Sequence, residues 1–98
     1  MILEAAVINI KEGTKDQFEK SFQEAQLVIG QANGYLSHQL QNCLENKNKY
    51  LLLVKWQTLE DHMEGFRKSD LFHQWRSIIG PYFETPPAVE HYELVFNM

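Results

Sequence analysis

The chain has 98 residues, 44% of them hydrophobic and 12% aromatic, and a formal net charge of −4 at pH 7. This is the composition of one small globular domain rather than a disordered chain. The acidic balance argues against nucleic acid and anionic membrane surfaces as partners, and the longest purely apolar run, Leu51 to Val54, is far too short to span a bilayer.

The N-terminus, MILEAAVINI, lacks the positive region of a signal peptide and carries Glu4 inside an apolar stretch, so a cytoplasmic protein is expected. Cys43 is the sole cysteine and cannot form an internal disulfide. Ile2 to Ile10 reads as a strand with Ile2, Ala6, Ile8 and Ile10 on one face and Leu3, Ala5 and Val7 on the other. After a turn at Lys11-Glu12-Gly13, Thr14 and Gln17 form a capping box, and Phe18, Phe22, Ala25, Ile29 and Ala32 make one helical stripe that Asn33-Gly34 ends.

Tyr35 to Leu44 alternates: Leu36, His38, Leu40, Asn42 and Leu44 are expected on one face, Tyr35, Ser37, Gln39, Gln41 and Cys43 on the other. Glu45 to Lys49 is a polar hairpin loop, and Tyr50 to Trp56 is a strand apolar on both faces. Thr58 and Asp61 mark a helix start whose inward stripe is Leu59, Met63 and Phe66. The helix breaks near Lys68-Ser69 and restarts with Leu71, Trp75 and Ile78, with Phe72 and Ile79 beside them. Gly80-Pro81 stops it, and Thr85-Pro86-Pro87 leads into a last strand, Ala88 to Phe96.

The order is β-α-β-β-α-β, which predicts an α+β, ferredoxin-like fold with an antiparallel sheet covered by helices on one side. The opposite face of the first and third strands is also apolar, and an uncovered apolar sheet face marks an interface. A homodimer through that face, two sheets closing into an α+β barrel, is the expectation.

The candidate chemistry is narrow. His38, His62, His73 and His91 show no His or Cys partner at metal-ligand spacing, Cys43 has no identifiable base, and no Gly-rich phosphate loop is present. The remaining signal is the aromatic, histidine-bearing stretch Trp56 to Trp75. His62 shares a helix flank with Leu59 and Phe66; it reads either as an acid/base group or as a boundary histidine. His38 can orient a substrate oxygen or bond a neighbouring side chain. Arg76, one turn after Phe72, can meet an anionic oxygen or cover apolar surface. Phe66, Phe72 and Trp75 are core, or core that doubles as a ligand wall.

The element order, the strand ending in Trp56, the KSDLF stretch at Lys68 to Phe72 and the closing PPAVEHYELV at Pro86 to Val95 resemble the antibiotic biosynthesis monooxygenase (ABM) family of dimeric α+β barrel proteins. The resemblance spans nearly the whole length, making residues 1–98 one ABM-like domain. It implies a homodimer and a monooxygenase that oxidises a small aromatic, quinol or polyketide-like substrate with O2, using no metal, flavin or nicotinamide. His62 is then the catalytic candidate, His38 and Arg76 are polar clamps, and Phe66, Phe72 and Trp75 line the substrate. The alternatives are a dimeric ligand-binding module without chemistry and a haem-degrading relative. Against the latter, the positions equivalent to that branch's asparagine, tryptophan and haem-ligating histidine fall near Ala6, Phe66 and Arg76. Many members also carry a histidine where this chain has Phe66, with His62 one turn earlier.

Overall fold

The computed structural model describes residues 1–98. Its strands are β1 (Ile2–Asn9), β2 (Tyr35–Asn42), β3 (Lys49–Trp56) and β4 (Ala88–Tyr92); its α-helices are α1 (Lys15–Ile29) and α2 (Asp70–Ile79). A π-helical segment, Asp61–Phe66, precedes α2, and a 3-10 turn, Gly80–Tyr82, follows it. The sheet runs β2-β3-β1-β4 with every pair antiparallel, the order of the ferredoxin-like fold.

Period-two alternation sorts the sheet into two faces. Ala6, Ile8, Tyr50, Leu52, Val54 and Trp56 point to the helices and are buried. Phe18, Phe22, Ala25 and Ile29 of α1 and Trp75 and Ile79 of α2 close over them. Each large side chain buried this way contributes about 1.5–3 kcal/mol. The two helices meet where the Trp75 ring stands edge-on to Phe22, with centroids 5.8 Å apart. Leu3, Ala5, Val7, Leu51 and Leu53 lie on the other face, where nothing of this chain covers them; Leu51 is 37% exposed.

Several expected details differ. Thr14 does not cap α1; its hydroxyl donates back to the Lys11 carbonyl at 2.6 Å. The helix ends at Ile29 rather than running to Ala32, although the left-handed turn expected at Asn33-Gly34 is there, on Gly34 at φ +79°. A bulge between Tyr35 and Ser37 ejects Leu36, so Tyr35 shares the helix-facing side with His38, Leu40 and Asn42, contrary to simple alternation. Strand β2 stops at Asn42 and β4 at Tyr92, leaving Glu93–Met98 outside the ladder.

The largest change is in the segment after Trp56. Thr58 caps it as its spacing predicts, its Oγ1 accepting from the Asp61 N–H at 3.1 Å. The chain then winds as a π-helix, with the Arg67 N–H reaching back five residues to the His62 carbonyl at 3.0 Å. That wider turn rotates the inward stripe. His62 and Phe66 enter the core, while Leu59 and Met63, expected inside, are exposed.

Candidate active site

The π-helical segment and α2 do not close flush onto the β1–β4 side of the sheet. They leave a cleft of about 710 Å³. Ala6, Ile8 and Leu52 form its floor, Phe66, Phe72 and Trp75 its aromatic wall, and Arg67, His73 and Arg76 its charged and polar rim. Phe66 anchors the wall: Phe72 stands perpendicular to it at 5.5 Å and Trp75 meets it edge-on at 6.3 Å. Ser69 starts α2 by accepting the Phe72 N–H at 3.4 Å, which fixes where that ring begins its helix. The Arg67 and Arg76 guanidinium groups lie 5.7 and 5.8 Å from the Phe72 ring centre.

At one end of the floor stands a buried polar cluster. Glu4 is 5% exposed and His62 is 3% exposed. Glu4 Oε1 accepts from Trp56 Nε1–H at 2.9 Å, and His62 Nε2 is 3.3 Å from that same oxygen. On its far side, His62 Nδ1 bonds His91 Nε2 at 2.8 Å. The topology makes this meeting possible, because Glu4 and His91 are cross-strand partners on β1 and β4. Trp56 stacks on His62 with ring centres 5.1 Å apart and planes 18° from parallel, which holds the imidazole edge toward the carboxyl.

Burial raises the Glu4 pKa above the ordinary carboxylate value, against the lowering effects of the Trp56 N–H and the Arg67 charge. Burial also pushes His62 down to about 4, assisted by His91 and Arg67, so at neutral pH its ring is uncharged and weakly basic. His91 is lowered by burial and by Arg67. With Glu4 ionised, the best proton arrangement puts N–H on His62 Nε2, facing the carboxylate, and leaves Nδ1 to accept from His91 Nε2–H.

The structure brings His62, Phe66, Phe72, Trp75 and Arg76 together on one cleft. It does not bring His38 there. That ring lies on the β2 side, its Nδ1 bonded to the Tyr35 hydroxyl and its Nε2 2.9 Å from Gln26 Oε1 on α1. Of the two readings its sequence position allowed, the bond to neighbouring side chains is the observed one. Glu4, Arg67 and His91 were missed as members of the site. Glu4 carried a signal, because it shares the parity of Ala6 and Ile8 on β1 and is therefore an acid in a buried row. His91 carried none before the pairing of β1 with β4 was known.

A model of the family described as antibiotic biosynthesis monooxygenase matches residues 1–77. Over 93 residues the chain is 44% identical to protein YczJ of Bacillus subtilis (strain 168), covering 95% of this chain and 98% of that one. The crystal structure of an antibiotic biosynthesis monooxygenase candidate from Bordetella bronchiseptica is similar at a TM-score of 0.93 and 34% identity, over 97% of both chains. SnoaB, a cofactor-independent oxygenase from Streptomyces nogalater, is similar at a TM-score of 0.82 over 99% of this chain and 95% of that one. At 10% identity that last likeness is one of fold.

Proposed function

The chain belongs to the antibiotic biosynthesis monooxygenase family, and we propose that it is a cofactor-independent monooxygenase acting on a small aromatic or quinol-type substrate. The observation that carries this reading is the cleft itself, an apolar slot walled by Phe66, Phe72 and Trp75 with ionisable groups at its floor and rim. A flat aromatic molecule stacks well in such a slot. Arg76 at the rim suits a developing phenolate, and Glu4 and His62 at the floor suit proton handling.

The chemistry balances without a further reductant. A hydroquinone and O2 give a hydroxyquinone and water. The substrate loses four electrons, one oxygen atom enters the ring and the other leaves as water. The protein's part is to bind the quinol dry, deprotonate it and hold O2 beside it.

A homodimer through the open sheet face belongs to the same proposal. Leu3, Ala5, Val7, Leu51 and Leu53 form an apolar centre there, and a second copy would bury it. Leu53→Lys should then run as a monomer in sedimentation velocity. No helix is long and apolar enough to cross a membrane, and a cytoplasmic site of action is part of this reading.

The test is O2 uptake and product mass with a panel of hydroquinones and polyphenols, with no cofactor added. Enzyme-dependent uptake with one oxygen atom gained supports the monooxygenase. Tight binding across the panel without uptake would move the assignment to a ligand-binding module.

A further inference from the structure

We propose that Glu4 is the catalytic base of this cleft and that His62, backed by His91, is the residue that positions it. The inference rests on the quinol-oxidising reading of the site and names the atom that handles the proton there.

The argument is an accounting of free atoms. Glu4 Oε1 is engaged by Trp56 Nε1 and faces His62 Nε2. Oε2 accepts nothing from the protein, yet no polar side-chain atom of the chain is buried without a partner. Oε2 therefore reaches open space, and the open space beside Glu4 is the cleft that it lines. His62 is differently placed, with Nδ1 held by His91 and Nε2 turned to the carboxyl. A substrate hydroxyl entering along the aromatic wall meets an unoccupied carboxylate oxygen.

The groups around Glu4 suit that task. Trp56 from β3 donates to it, His62 from the π-helical segment lies against it, His91 is its neighbour on β4, and Arg67 acts on it from the end of the π segment. Trp56 and His62 hold the side chain without bringing a charge that would neutralise it, and His91 holds His62. Burial raises its proton affinity toward that of the hydroxyl it would deprotonate, the direction that favours proton transfer. In the step itself, the substrate O–H bond breaks, its electron pair stays on the phenolate oxygen, and the proton forms a new O–H bond on Oε2. The proton leaves later in the water made from the second oxygen atom.

The experiment compares wild type, Glu4→Gln and Glu4→Asp, each first checked for native circular dichroism. Glutamine keeps an acceptor for Trp56 but removes the base; aspartate keeps the base and withdraws it by one methylene. For a weakly acidic quinol at neutral pH, Glu4→Gln should lower kcat by about 100-fold or more. The deficit should shrink as pH rises toward the quinol's own ionisation, because a substrate that is already phenolate needs no base. Glu4→Asp should fall between the two. A deficit that does not change with pH, or no deficit, would overturn the assignment.

Anaerobic binding of the same quinol, followed by the fluorescence of Trp56 and Trp75, separates this inference from the oxygenase reading. Wild-type affinity should weaken as pH falls and Glu4 takes up a proton, while Glu4→Gln affinity stays flat. If that pattern appears without any O2 uptake, the oxygenase reading fails and Glu4 stands as the hydroxyl acceptor. If wild-type affinity is as flat as the variant's, Glu4 is not the acceptor. For the positioning role, His62→Asn should move the acidic limb of the kcat/KM profile upward, because the carboxylate loses its imidazole N–H. A loss of kcat with the limb unmoved would make His62 merely structural.

Discussion

Two polar clusters sit on the helix-facing side of this sheet, one around His38 and one around His62, and only the second stands on the cleft. His38 on β2 bonds the Tyr35 hydroxyl and Gln26 of α1, with Phe22 edge-on at 5.9 Å. His62 bonds His91 and faces Glu4, with Trp56 stacked on it. Burial lowers the pKa of both rings. The difference lies in their partners. An amide and a phenol whose own pKa is raised by burial offer His38 no group that exchanges protons near neutrality. A buried carboxyl and a second imidazole offer His62 two. The polar pair at His38 staples β2 to α1, whereas the cluster at His62 is a candidate for chemistry because it also opens on a cavity.

The strongest way to break this contrast is through Trp56, which touches both ends. Its indole stands edge-on to Tyr35 at 6.3 Å, stacks on His62 and donates to Glu4. Trp56→Ala should cost about 3–5 kcal/mol in urea unfolding, the usual range for emptying a buried tryptophan site. It should also remove the one firm donor to Glu4 Oε1, so any activity that survives should show a shifted pH profile.

A smaller effect sharpens the comparison through pH. His62 titrates at about 4 in the folded chain against an ordinary value of 6.5. Between those values the unfolded chain holds a proton that the folded chain does not, so stability contributed by His62 is present above 6.5 and is lost as pH falls toward 4. The loss is about 3 kcal/mol across that window. Glu4 acts with the opposite sign: its folded pKa is raised above 4.5, so its contribution is present below 4.5 and is lost as pH rises through the folded value. The two partly cancel in wild type. In thermal melts across this range, Glu4→Gln should therefore gain stability with pH more steeply than wild type, and His62→Gln less steeply. Parallel curves for all three proteins would mean that neither group is coupled to folding as the geometry implies.

Gly34 connects the two ends by backbone. It has φ +79°, its carbonyl accepts the Gln57 N–H at 2.7 Å, and a Cβ there would fall on the Asp61 carboxyl at the start of the π segment. Gly34→Ala should lower stability by roughly 1–3 kcal/mol, through left-handed strain together with displacement of Asp61. Because Asp61 precedes His62, its activity loss should exceed what the stability change alone explains.

Much of this was legible in the residues. Alternation in β1 and β3 placed the core and exposed the second apolar face, and the stripe Phe18, Phe22, Ala25, Ile29 located α1. What escaped follows from geometry that periodicity assumes away. One extra residue at Leu36 reversed the facing of Tyr35, and a wider helical turn exchanged Met63 for His62. The packing of Phe72 and Trp75 around Phe66 was legible because large aromatics at helical spacing have few places to go. The polar cluster at the end of the floor was legible only at His62, because its partners Glu4, Trp56 and His91 come from three further elements that meet it only when β4 pairs with β1.

The smallest expected effect is the most discriminating for the opening contrast. Tyr35→Phe removes the hydroxyl that bonds His38 and leaves the ring against Trp56 in place. One part-buried hydrogen bond is lost, so stability should fall by about 1 kcal/mol. His38 Nδ1, relieved of its partner, lies away from the cleft, and so O2 uptake with any competent quinol should be unchanged. Retained turnover in Tyr35→Phe beside a large deficit in Glu4→Gln would assign the two polar ends different work on one sheet. A comparable loss in both would instead mean that His38 reaches the substrate by a movement of β2, and that the division between staple and site drawn from their partners is wrong.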